Sequence, residues 1–120
     1  MGKKILCVDD SSTIRKLVHK ALDPLGYEVS EAENGRQALD MAGPDFDLFI
    51  VDVHMPEMDG FEFVEGLKQA GDLAGKPVVF LTTESSEEKK ARGKELGVNG
   101  WIVKPFEPEA LTKVVGMLTG

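Results

Sequence analysis

A chain of 120 residues with 14 Lys and Arg against 21 Asp and Glu carries a formal net charge of −7, and its one cysteine has no partner for an internal disulfide. That length suits one compact domain, expected over residues 1–120, that buries roughly two-thirds of its unfolded surface without staples, and the acidic balance argues against nucleic-acid or anionic-membrane binding. The longest apolar stretches, Leu48-Phe49-Ile50-Val51 and Val78-Val79-Phe80-Leu81, are four residues each, far short of a bilayer span, so no membrane insertion and a cytoplasmic, reducing location are expected.

Ile5-Leu6-Cys7-Val8 reads as a short strand covered on both faces, with Cys7 a small buried thiol. Ile14, Leu17, Val18, Ala21 and Leu22 follow at helical spacing, closed by Pro24 and Gly26. Tyr27 to Ala32 reads as a second strand, and Asn34-Gly35 turns the chain into a short helix carrying Ala38, Leu39 and Ala42. Leu48 to Val51 is the third strand, followed by a helix using Phe61, Val64 and Leu67. Pro77 to Leu81 and Trp101-Ile102-Val103 are strands four and five. Between them lies a weak helix, with a capping box expected from Ser85 and Glu88 and a Gly93 that costs about 1 kcal/mol relative to alanine. A last helix has Pro108 in its first turn and Leu111, Val114, Val115 and Leu118 on one face. Five strands alternating with five helices predict an α/β fold, a doubly wound parallel sheet with helices on both faces.

Ligands of open parallel sheets bind beyond the carboxyl ends of the strands. Asp9 and Asp10 follow strand one, Asp52 strand three, Thr82 and Thr83 strand four, and Lys104-Pro105 strand five. Singly, each has an ordinary structural use: Asp10, Ser11 or Ser12 as a helix cap, Thr82 or Thr83 in a turn. Asp52 is harder to assign that way, since it directly follows a buried run. Three carboxylates brought together repel one another unless a cation is present, and an all-oxygen set with few protein ligands suits Mg²⁺ (or Mn²⁺). Two other motifs fail on inspection. Gly71 to Lys76 has the wrong glycine spacing for a phosphate loop, and Asp52-Val53-His54 lacks the second aspartate of the haloacid-dehalogenase phosphatases.

Taken jointly, Val8-Asp9-Asp10, Val51-Asp52 with Met55-Pro56 and Asp59-Gly60, Leu81-Thr82, and Lys104-Pro105-Phe106 resemble the receiver domain of two-component response regulators. The resemblance spans the whole chain and implies a (βα)5 flavodoxin-like sheet of order 2-1-3-4-5. By that similarity Asp52 is the phosphoacceptor, taking a phosphoryl group from a sensor histidine kinase or phosphotransfer protein. Asp9, Asp10, Asp52 and the backbone carbonyl of His54 are the implied metal ligands, with Lys104 and Thr82 on the phosphoryl oxygens. The Lys104-Pro105 peptide is expected to be cis, and Gly60 is expected to serve a turn through its backbone freedom. Trp101 occupies the family's switch position, where tyrosine or phenylalanine is usual.

A phosphorylation-controlled binding module of the chemotaxis type, docking a downstream protein through the face of its fourth helix, fifth strand and fifth helix, is the leading reading. The basic run Lys89, Lys90, Arg92 and Lys94 is expected on that face. A relay intermediate, a receiver cut from a larger regulator, and a Mg²⁺-dependent phosphatase are the alternatives.

Overall fold

The structure is a computed structural model describing residues 3–43, 45–71 and 75–119; the segment 71–76 weighed as a phosphate loop lies partly outside them. The chain runs β1 (Lys4–Val8), α1 (Ser12–Leu22), a 3-10 turn (Asp23–Leu25), β2 (Glu28–Ala32), α2 (Gly35–Met41), β3 (Leu48–Val51), α3 (Gly60–Ala70), β4 (Val78–Thr82), α4 (Glu87–Leu96), β5 (Gly100–Val103) and α5 (Pro108–Thr119). All strand pairs are parallel, in the order β2-β1-β3-β4-β5. Among the described residues, no helix is long and apolar enough to cross a membrane.

The period of two in each strand divides the core between the two faces of the sheet. Leu6, Val8, Phe49, Val51 and Phe80 point one way, onto Ala38 of α2 and Phe61, Val64 and Leu67 of α3. Ile5, Cys7, Leu48, Ile50, Val79 and Leu81 point the other, onto Val18 and Leu22 of α1 and Leu111 and Val115 of α5. The continuous apolar runs of β1, β3 and β4 follow from this two-sided cover, whereas edge strand β2 is buried only at Ala32.

Side-chain caps start the helices where the sequence supplies hydroxyls or short polar groups. Ser11 accepts from the Ile14 N–H at 3.3 Å, and Asn34 accepts from Gln37 at 2.8 Å. Asp59 and Glu62 exchange bonds of 2.8 and 2.9 Å in a capping box. The expected box at α4 is corrected: Ser86, one residue later than Ser85, is the cap, accepting from Lys89 at 3.3 Å. The residue three past the true cap is a lysine, which has no acceptor to return the bond.

Candidate functional site

β1 and β3 lie side by side where the strand order reverses, so the crevice beyond their carboxyl ends is the natural ligand position. Asp9 leaves β1 and Asp52 leaves β3, both nearly inaccessible at 2% and 6% exposure. The Asp52 N–H donates to the Val8 carbonyl at 2.9 Å, which carries the strand pairing as far as the acidic residues. Asp10 is exposed at the mouth. One carboxylate oxygen from each of Asp9, Asp10 and Asp52 lies within 4.8 Å of the other two.

Lys104, one residue past the end of β5 and two strands from β3, reaches into this cluster. Its Nζ donates to Asp9 Oδ2 at 2.8 Å and to Asp52 Oδ2 at 3.0 Å. The other oxygens are held by backbone: Ser11 N–H donates to Asp9 Oδ1 at 2.9 Å and His54 N–H to Asp52 Oδ1 at 3.1 Å. Asp52 thus also bridges a turn two residues on, a local role not evident from its position after a buried run. Thr82, fully buried at the end of β4, accepts the Glu84 N–H at 3.2 Å, which leaves its hydroxyl proton free to be donated. The structure gathers Asp9, Asp10, Asp52 and Lys104 in one cluster, Thr82 lies beside it with its carbonyl accepting the Lys104 N–H at 2.8 Å, and the Lys104-Pro105 peptide is cis.

Burial pushes the Asp9 carboxyl above its usual 3.8, against the opposing pull of its hydrogen bonds from Lys104 and Ser11. Burial opposes the Lys104 charge, but the hydrogen bonds to Asp9 and Asp52 and the attraction of their negative charges together outweigh it and hold the ammonium above its usual 10.5. Three carboxylates facing one ammonium leave an excess of two negative charges. The donors are all oxygen, from one exposed and two buried aspartates, and both features fit a hard divalent cation such as Mg²⁺.

The remaining sequence-selected residues surround this cluster. The His54 side chain is 56% exposed and its Nε2 sits 2.9 Å from Glu84 Oε1, tying the β3–α3 loop to the β4–α4 loop. Hydrogen bonds to Ser86 and then His54 hold the Glu84 carboxyl below its usual value. Trp101 is half-buried and donates its indole N–H to the Glu84 carbonyl at 2.8 Å. Glu84 therefore touches Thr82, His54 and Trp101 together, yet nothing in its own sequence position marks it apart from following Thr82 by two.

Gly60 requires a correction. It opens α3 and its φ is not left-handed; a Cβ there would stand 2.5 Å from the Asp52 carbonyl oxygen and 3.0 Å from Val53 Cα. Space, not backbone freedom, demands this glycine. The left-handed residue of the loop is Glu57, at φ 68, where Met58 N–H donates to the Pro56 carbonyl at 2.7 Å in a tight γ-turn. The basic run lies on α4, with Lys89 and Lys90 half-buried and Arg92 and Lys94 exposed, and Arg92 sits 4.3 Å over the Phe61 ring and 3.6 Å from Glu65.

Residues 5–116 match the family model described as response regulator receiver domain. The chain belongs to that family. The receiver domain is similar to chemotaxis protein CheY1 of Helicobacter pylori, 38% identical over 98% of this chain and 97% of the relative. It is 39% identical to a CheY homolog of Campylobacter jejuni, over 90% of this chain and 85% of the relative. In three dimensions it matches the solved structure of CheY4 from Vibrio cholerae with a TM-score of 0.90 and 45% identity, covering 98% of this chain and 99% of that one. This receiver domain is therefore a CheY-like phosphoacceptor switch of two-component signalling.

Proposed function

We propose that Asp52 is the phosphoacceptor and that the acid cluster works as follows. A carboxylate oxygen of Asp52 attacks the phosphorus of a phosphohistidine on a partner protein. The new O–P bond forms as the N–P bond breaks, and the imidazole departs with the electron pair. A carboxylate nucleophile needs no general base, so the protein's task is alignment and charge neutralisation. Asp9, Asp10, Asp52 and the His54 carbonyl are the groups to hold Mg²⁺, which when bound neutralises charge on the transferred phosphoryl oxygens.

Lys104, freed from its bridge between Asp9 and Asp52, pairs with one phosphoryl oxygen, and the Thr82 hydroxyl donates to another. The backbone N–H groups of Ser11 and His54 keep the two buried carboxylates oriented throughout. Hydrolysis of the acyl phosphate by water returns the switch to its starting state.

The observation that supports this reading best is the Lys104 ammonium within 3.0 Å of both buried carboxylates, in a cluster that retains two excess negative charges. The pathway follows by similarity: a chemotaxis-type regulator acting by itself in the cytoplasm, loaded by a histidine kinase or phosphotransfer protein. Its downstream partner docks on α4, β5 and α5. A groove of about 310 Å³ between α4 and β5, lined by Lys90, Lys94, Val98 and Trp101 among others, supports the α4 and β5 part of that placement.

Labelling with radioactive acetyl phosphate and MgCl2 tests the assignment. Native protein is expected to take up one acid-stable, hydroxylamine-sensitive label that Asp52→Asn lacks. Undiminished labelling of Asp52→Asn refutes it, and repeated turnover of added phosphate esters favours a phosphatase instead.

A further inference from the structure

α4 is held to the protein in an unusual way. A surface helix ordinarily buries a stripe of large apolar side chains, but the only buried residue of α4 is Gly93. Leu96 at its end packs partly against the core, and the rest of the helix lies on three aromatic rings, Phe61 of α3, Phe80 of β4 and Trp101 of β5. The Phe61–Phe80 and Phe80–Trp101 centroids are 5.2 and 5.3 Å apart, both edge-to-face, an arrangement favourable beyond the area it buries. Arg92 covers Phe61 with its guanidinium. Gly93 lays bare backbone against the indole.

A Cβ on Gly93 would stand 3.0 Å from Trp101 Cζ3, 3.4 Å from Cε3 and 3.7 Å from Phe80 Cε2. The indole has little room to retreat, because its N–H is bound to the Glu84 carbonyl at 2.8 Å and its flank lies against Phe80. Gly93 has no positive φ, so its backbone does not call for glycine, and a glycine in mid-helix costs about 1 kcal/mol relative to alanine. That cost is offset only by the volume of the indole beneath it.

We propose that Gly93 is a positioning residue for Trp101: the two form a matched pair in which the missing side chain of one makes room for the ring of the other. The pair fastens α4 to Glu84, so α4, the β4–α4 loop and the indole move as one unit when Asp52 is loaded. The second statement rests on the phosphoacceptor reading above; the first does not.

Urea unfolding of the native protein, Gly93→Ala, Trp101→Phe and the double variant tests the pair. Trp101→Phe removes Cζ3 while keeping an aromatic ring against Phe80. The helix-propensity gain of alanine is common to both backgrounds and cancels in the cycle. Gly93→Ala is expected to raise the unfolding midpoint in the Trp101→Phe background and to leave it unchanged or lower it in the native background. Equal shifts in the two backgrounds overturn the pair.

The chain has one tryptophan, so its emission reports this position alone. Adding beryllium fluoride with MgCl2 is expected to shift the emission of the native protein, to shift Gly93→Ala less, and to leave Asp52→Asn unmoved. Identical shifts in native protein and Gly93→Ala overturn the joint movement. A native-like shift in Asp52→Asn refutes the phosphoacceptor reading and leaves the unfolding cycle to decide the pair.

Discussion

Gly60→Ala adds a single methyl group to the first residue of α3, and its consequence can be worked out from the surroundings of that atom. The new Cβ would lie 2.5 Å from the carbonyl oxygen of Asp52, 3.0 Å from Val53 Cα and 3.1 Å from the Asp52 carbonyl carbon. To reach an ordinary contact, the helix start and the end of β3 must separate by about 0.9 Å, and both sides are backbone, so no side chain can swing away. The same shift stretches the Gly60 N–H bond to the Val53 carbonyl, now 2.9 Å. Overpacking against side chains typically costs about 1–3 kcal/mol, and a backbone obstacle belongs at the upper end, about 2–3 kcal/mol. For a domain of this length that lowers the melting temperature by about 8–12 °C. Gly116→Ala is the matched control: Gly116 sits in α5 with nothing within 4 Å of its missing Cβ, so the same chemical change is expected to stabilise by about 1 kcal/mol. Calorimetry or urea unfolding of the two variants reads opposite signs. A loss below about 1 kcal/mol at Gly60, or a gain there like that at Gly116, refutes the steric reasoning. Since the displaced atom belongs to Asp52, Gly60→Ala is also expected to slow labelling by acetyl phosphate.

Lys104→Met leaves two buried carboxylates facing each other without their ammonium and is expected to cost about 3 kcal/mol. Urea unfolding with and without millimolar MgCl2 should show the variant gaining more from the cation than the native protein does, and equal gains contradict the charge count. Burial raises the Cys7 thiol from 9.0 to about 12, with Asp9 and Glu31 adding to the effect. The neutral thiol thus contributes stability that is complete below 9.0 and is lost as pH rises through about 12. Unfolding of native protein and Cys7→Ala across that interval should show the shallower pH dependence in Cys7→Ala, while thiol reagents at neutral pH label Cys7 only once the protein is unfolded. Glu57→Gly relieves a left-handed φ of 68 at an exposed residue, for a net gain of about 0.5–1 kcal/mol after the added freedom of the unfolded chain. An unchanged midpoint would show that the γ-turn holds Glu57 without strain.

The acid cluster was readable because each member directly follows or ends an apolar run, and strands in a parallel sheet point their carboxyl ends to one edge. Asp9, Asp52, Thr82 and Lys104 then fall at that edge wherever the strands pair. His54 and Glu84 carried no comparable mark. The 2.9 Å hydrogen bond between their side chains joins loops 30 residues apart, and neither side chain has a neighbour in sequence that implies the other. The cap of α4 was misplaced by one residue for a related reason: Ser85 and Ser86 are both competent caps, and Ser85 offered a glutamate three residues later, whereas the turn leaving Thr82 delivered Ser86 to the helix start.

By itself the sequence determined the alternation of strands and helices and the chemistry gathered at one rim of the sheet, because apolar periodicity and residue type are local properties. Tertiary structure decided how those parts bear on each other. The sequence marks Gly60 as a turn glycine and Gly93 as a weak point of its helix, and only packing shows one pressed against the backbone of Asp52 and the other against the indole of Trp101. Steric exclusion acts between atoms distant in sequence, and no local pattern records it.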